Sequence, residues 1–262
     1  MTVLYPLLKP PSFGYHSYVT IHNFHPFPLS FGWPSRRFIY LVFSYLNVWN
    51  CVFLETLRPS NSLSLDYRDI FEYLPSSDIS PFILLTTDSL NERLDSLNEI
   101  PTPSSLPAWR STISISKGQS STSFQGECPI FKPNRPLLSF TPFIQGSGSD
   151  NYFYLVNLTD SPVAYDSELN VYDPTHPKQL LASFPVSTNS CNPIFLDDTL
   201  SEYTSLIFHC PKITGVPIFL STDGTNLSME HTHPAASFTI GLDNRINISR
   251  VTALNWSNYI YN

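Results

Sequence analysis

From residue 111 to residue 242 the chain is cut into short runs that no helix-based fold would tolerate. STISISK (111–117) alternates polar and apolar side chains, and PLLSFTPF (136–143), NYFYLVNL (151–158), ELNVYD (168–173) and QLLASFPV (179–186) follow. PIFLD (193–197), TSLIFHC (204–210), VPIFLS (216–221) and SFTIGL (237–242) complete the series. Turn signals such as Ser147-Gly148, Asp173-Pro174 and Asp223-Gly224 separate several of them. Short runs of β-branched and aromatic residues without intervening helical periodicity predict an antiparallel β-sandwich over 108–262. The 24 prolines reinforce this expectation, because proline is excluded from helix interiors and confined to edges and starts of strands.

Upstream, two stretches are expected. Residues 1–60 read as an aromatic, proline-rich arm that contains FIYLVFSYLNVWNCVFL at 38–54. That uncharged run follows Arg36-Arg37 and has two readings. A membrane anchor would be at the short limit for a spanning helix and would place Asn47 and Asn50 in lipid. A buried core element, one helix or two strands, suits its β-branched and aromatic content better. Residues 61–107 read as a small α/β lead-in: a short helix at 66–74 ended by Pro75, a buried strand at 82–87, and a helix from Ser89 to Glu99 with Ser89 and Glu92 as its capping box. PTPSSLP at 101–107 marks the boundary before the sandwich. No internal repeat is visible.

Charge and motif content exclude several functions. The net charge is −7 and the basic residues are scattered, so no phosphate-tracking surface for nucleic acid is expected. G-x-G-x-x-G, G-x-x-x-x-G-K-[ST], G-x-S-x-G and H-E-x-x-H are all absent. The four cysteines, Cys51, Cys128, Cys191 and Cys210, form no C-x-x-C pair. Cys191 and Cys210 would pair only if their strands face each other, and buried thiols are the simpler expectation. Asn157, Asn226, Asn247 and Asn255 each begin an N-x-[ST] triplet. The start carries no standard signal peptide, which favours a cytoplasmic chain over an exported or membrane-anchored one.

The densest chemistry is Glu230-His231-Thr232-His233-Pro234. On a strand, His231 and His233 share a face while Glu230 points away from them. A divalent metal such as zinc would then need a third ligand, with His209 the best donor and His176 a weaker one. The competing reading is a rigid polar corner held by Pro234, or a rim on which Glu230 and His231 recognise a polar ligand. His16, His22 and His25 lie in the arm, where a preorganised metal site is not expected. Glu127, in Ser123-Phe124-Gln125-Gly126-Glu127-Cys128-Pro129, would form an acid–base pair with Glu230 if the fold brings them together. Cys128 would serve as a nucleophile only with a histidine beside it.

The run Asn151–Leu158, then Glu168–Asp173, then a return strand is similar in style to bacterial immunoglobulin-like sandwiches over roughly residues 150–222. That resemblance implies a support or binding domain rather than a catalyst. The expectation is therefore a non-catalytic binding or assembly module without a cofactor, with polysaccharide, another envelope component or a protein as partner. The alternative is a metal-dependent or acid–base enzyme centred on Glu230, His231 and His233.

Overall fold

The computed structural model describes residues 3–23, 36–100, 111–126, 128–142, 149–200, 203, 205–231 and 259. The chain is mainly β, with strands in antiparallel sheets. It divides into two compact units: residues 1–128 with 160–164, and residues 129–159 with 165–262.

Unit 1 contains β1 (Val3–Pro6), β2 (Tyr15–His22), β3 (Arg37–Tyr45), β4 (Val48–Leu57) and β5 (Ser62–Asp66). Helix α1 (Tyr67–Phe71), β6 (Phe82–Thr86), β7 (Arg93–Leu94), β8 (Thr112–Lys117) and β9 (Ser120–Gln125) complete it. One sheet runs β1-β6-β3-β4-β7 and the other β5-β2-β8-β9. Alternation buries Val19, Ile21, Ile113 and Ile115 from one sheet and Ile39, Leu41 and Ile83 from the other.

Unit 2 contains β10 (Leu137–Pro142), β11 (Asp150–Val156), β12 (Asp166–Tyr172) and β13 (Leu180–Ser187). It continues with β14 (Pro193–Leu196), β15 (Ser205–Cys210), β16 (Val216–Thr222) and β17 (Leu227–His231). Its sheets run β10-β15-β12-β13 and β14-β11-β16-β17. Leu169, Val171, Leu206 and Phe208 from the first sheet meet Phe153, Leu155 and Phe219 from the second in one apolar core. The Phe153 and Phe208 rings stack at 4.3 Å between centroids. The antiparallel sandwich expected from the strand pattern is thus the architecture of this unit.

The two units repeat one strand order. Counting strands along the chain and setting β7 aside, each unit pairs them first–sixth–third–fourth in one sheet and fifth–second–seventh–eighth in the other. In both, a Leu-Asp pair closes the fifth strand: Leu65-Asp66 are the last residues of β5, and Leu196 ends β14 with Asp197 just after it. In both, that aspartate accepts from the main-chain N–H two residues on and opens a helical turn. The repeat is invisible in residue identities because a sandwich demands only alternate burial, which many sequences satisfy. Immunoglobulin constant domains place the last strand beside the sixth, in a C-F-G sheet. Here the seventh and eighth strands extend the sheet of the second.

Several expectations change. Residues 1–60, read as an arm, contribute four strands. The 38–54 run forms most of the β3–β4 hairpin, and among the described residues no helix is long and apolar enough to cross a membrane. The boundary at 107/108 falls inside unit 1, because β8 pairs with β2 near the start of the chain. The helix expected from Ser89 to Glu99 is instead β7 followed by a 3-10 turn, Leu97–Glu99. The free edge of β4 overrides helix propensity there: Trp49 pairs with Leu94, Asn50 with Arg93, and the Cys51 N–H donates to the Glu92 carbonyl at 2.8 Å. The capping box exists, seven residues further on. Ser96 Oγ accepts from the Asn98 N–H at 3.1 Å, and Glu99 Oε1 accepts from the Ser96 N–H at 2.8 Å. Ser96→Ala is expected to cost about 1 kcal/mol, read as a lower thermal midpoint.

Proline placement follows the rule that it cannot donate to a ladder. Pro6, Pro142, Pro185 and Pro193 lie in β1, β10, β13 and β14, all edge strands. Pro217 is the second residue of β16.

Candidate functional site

A groove in unit 1 is lined by residues of β3 and β4 of the five-stranded sheet and of the segment 89–93. It has a volume of about 620 Å³, with Phe38, Tyr40 and Phe53 on one side and Leu90, Glu92 and Arg93 on the other. Its aromatic wall depends on a β-bulge. Tyr40 pairs with Phe53 but Ile39 pairs with Glu55, so Leu54 is left over and the register shifts. Without that extra residue, Phe53 and Glu55 would share a face; with it, Glu55 sits opposite the core residue Ile39 and leaves the aromatic face. Phe53 is edge-on to Tyr40 at 5.6 Å and to Phe38 at 6.4 Å, and it remains 52% exposed. The Arg36 guanidinium lies 5.5 Å from the Phe38 ring centre.

The opposite wall is fixed by main-chain bonds. Leu90 N–H donates to the Tyr40 hydroxyl at 3.1 Å, and Glu92 is held through its carbonyl to Cys51. Next along β4, Trp49 is fully buried and its indole N–H donates to the Asp160 carbonyl at 2.9 Å. The Asp160 carboxylate accepts from the Asn98 side chain at 2.9 Å, and Ser44 donates to the Pro162 carbonyl. Cys51 also lines the groove. Burial, and secondarily Glu99, pushes its thiol up to about 12, so it stays protonated at neutral pH and is no nucleophile. The groove therefore offers flat apolar faces and a rim of one carboxylate and one guanidinium. That combination suits recognition by stacking and hydrogen bonding.

The histidine and carboxylate candidates fall elsewhere. His209, on β15, is fully buried. Its neighbours Phe208 and Cys210 belong to the core of unit 2, so His209 projects from the other face of its sheet, opposite Asn170 and Leu138. Burial pushes its imidazole down to about 4, which keeps it neutral at physiological pH. His231 ends β17 in the second sheet, opposite Ile218, and Glu230 is opposite the core residue Phe219. His231 and His209 thus project from the two outer faces of one sandwich, with the core between them. Sheets pack about 10 Å apart, so one ion cannot take nitrogens from both. His209 therefore drops out of the expected metal set. His233, Thr232, Pro234 and Glu127 lie outside the described residues, and among the described residues no group of three His, Cys, Asp or Glu side chains could hold a metal ion. Glu230 is exposed at the sheet edge and points to the face opposite His231, as strand alternation requires.

The other candidates have local partners. His176 Nδ1 lies 3.0 Å from the Asp173 carboxylate, and His16 Nδ1 lies 3.2 Å from that of Asp66. His22 Nδ1 is 2.7 Å from Ser62 Oγ, and His25 lies outside the described residues. Cys128 is buried, with its main-chain N–H on the Leu4 carbonyl at 2.7 Å. All four cysteines are free thiols, Cys191 and Cys210 included. Three Asp-X-Thr turns recur in unit 2, at Asp173, Asp197 and Asp223, each with the threonine hydroxyl donating to the aspartate. In the first, the Thr175 hydroxyl and His176 hold the Asp173 carboxyl down to about 2.

Of the N-x-[ST] asparagines, Asn157 is 1% exposed. Its side chain donates to the Thr214 carbonyl and accepts from the Asn189 N–H, so in the folded unit it is closed to modification. Asn226 is exposed in the β16–β17 turn, and Asn247 and Asn255 lie outside the described residues.

The aromatic groove was not singled out from the sequence. The signal was present as Phe38, Tyr40 and Phe53 in the uncharged run, but which face stays open depends on the bulge and on the segment folded over the sheet. No protein-family model matches the chain, and no curated protein matches it.

Proposed function

We propose that the chain is a non-catalytic binding module and that the unit 1 groove takes a polysaccharide segment. The observation that carries this reading is Phe53. A large apolar ring stands half-exposed beside two further aromatics on the β3–β4 hairpin, so three rings are gathered at one groove rather than scattered singly. Sugar rings present apolar C–H faces that stack on such surfaces, and their hydroxyls match the Glu92 and Arg93 rim. The β-sandwich architecture is compatible with a support or binding role.

The test is titration of the full chain with a panel of soluble plant, fungal and bacterial polysaccharides. At least one is expected to bind, and Phe53→Ala is expected to weaken it about tenfold, the equivalent of about 1.4 kcal/mol of stacking. The thermal midpoint of the variant should stay close to that of the parent, because the ring is already half in water. Binding by none of the panel, or full binding by the variant, would overturn the reading.

A further inference from the structure

The three rings at the unit 1 groove are not equivalent. Phe53 is 52% exposed, whereas Tyr40 is 4% exposed and its hydroxyl accepts from the Leu90 N–H at 3.1 Å. Tyr40 is therefore part of the frame of the groove. The Arg36 guanidinium stands over the Phe38 ring, 5.5 Å from its centre, so a cation already occupies one face of that ring. Phe53 is left as the ring of the three with an apolar surface largely open to solvent.

The ring planes decide what shape of ligand fits. Phe53 lies at 63° to Phe38 and at 67° to Tyr40. Stacking needs the C–H face of a sugar parallel to a ring and in van der Waals contact with it. Sugars fixed in one plane, as on a crystalline polysaccharide, lie parallel to Phe53 or to one of its neighbours, never to both. The concavity also keeps a flat face away, because residues of the segment 89–93 line the groove together with the rings. A single chain has neither restriction. It turns about each glycosidic bond, so one unit stacks on Phe53 while the next ones turn toward Glu92 and Arg93.

We infer that the groove takes one solvated glycan chain and not the face of a crystalline one, with a single stacking position at Phe53. This deepens the polysaccharide reading above and rests on it. A volume of about 620 Å³ is that of a site for one drug-sized molecule, so about three sugar units are held at a time. Their hydroxyls both donate and accept, which matches the Glu92 carboxylate and the Arg93 guanidinium.

The full chain is titrated with the six-unit oligosaccharide cut from whichever soluble polysaccharide binds, and is mixed with washed powders of microcrystalline cellulose and crystalline chitin. The oligosaccharide is expected to bind within about threefold of its parent polymer, and Phe53→Ala to weaken both about tenfold. Neither powder is expected to take up the protein in a way that depends on Phe53. Adsorption to a powder that Phe53→Ala lowers about tenfold overturns the inference and leaves polysaccharide binding in place. So does a polymer that binds while its six-unit oligosaccharide does not. If no soluble polysaccharide and no powder binds, the polysaccharide reading itself fails and the inference falls with it.

Discussion

Replacing Trp49 by alanine is expected to destabilise unit 1 by about 3–5 kcal/mol, the usual range for deleting a fully buried large aromatic. Trp49 is fully buried, the largest side chain so enclosed among the described residues. It lies opposite Leu94 of β7 and Ser44 of β3, and it donates to the Asp160 carbonyl. Alanine removes the packing and also the indole hydrogen bond, while the Asp160 carbonyl keeps the Leu97 N–H at 3.0 Å. The loss is a large fraction of the stability of a whole domain. Trp49→Phe separates the two contributions. It keeps most of the apolar volume, so its smaller cost reports the hydrogen bond and the residual cavity. Denaturant unfolding followed by far-UV circular dichroism gives both values. A Trp49→Ala cost below about 1 kcal/mol would show that β7 and residues 160–164 do not pack on the indole as described.

Acid should destabilise unit 2 well before its carboxylates titrate. His209 is buried and neutral, with its imidazole pushed from 6.5 to about 4. Between those values the unfolded chain binds a proton that the folded chain does not. Stability therefore falls as pH drops from 6.5 toward 4, and the loss levels off below that. By pH 4 the loss is on the order of 3 kcal/mol, from about 1.4 kcal/mol for each pH unit of displacement. His209→Leu should remove this dependence while keeping a buried apolar side chain at the position. The aspartates act in a lower window with their own sign. The Asp173 carboxyl is held down to about 2, so its contribution is present above its ordinary value of 3.8 and is lost as pH falls from there toward 2. Unfolding midpoints at pH 7, 5.5 and 4.5 compare parent and His209→Leu without interference from that window. Parallel pH profiles for the two proteins would contradict a buried, neutral His209.

Much of the fold can be read along the chain. NYFYLVNL, TSLIFHC and VPIFLS are strands close to their expected limits, and Asp66 caps the short helix before Pro75. Period-two burial and capping are local properties, so a single segment carries enough information for them. Among the strands that were not expected are β9 and β17, whose polar, small-residue sequences carry little apolar alternation. The Ser89–Glu99 segment shows the opposite failure. Leu90, Leu94 and Leu97 have helical spacing, yet the segment spends its main chain on the exposed edge of β4.

The sequence by itself determined that this chain is β-rich and that Glu230 and His231 point to opposite faces of their strand. These follow from backbone sterics and side-chain alternation, which act between neighbours. Only the tertiary structure decided which strands pair. Pairing joined β8 to β2 and separated His209 from His231 across a core. It also set one strand order twice in a chain without visible repetition, and it left one face of the β3–β4 hairpin open beside a bulge. Those outcomes depend on hydrogen bonds and burial between segments far apart in the chain, and alternation constrains the faces of a strand without naming its partner.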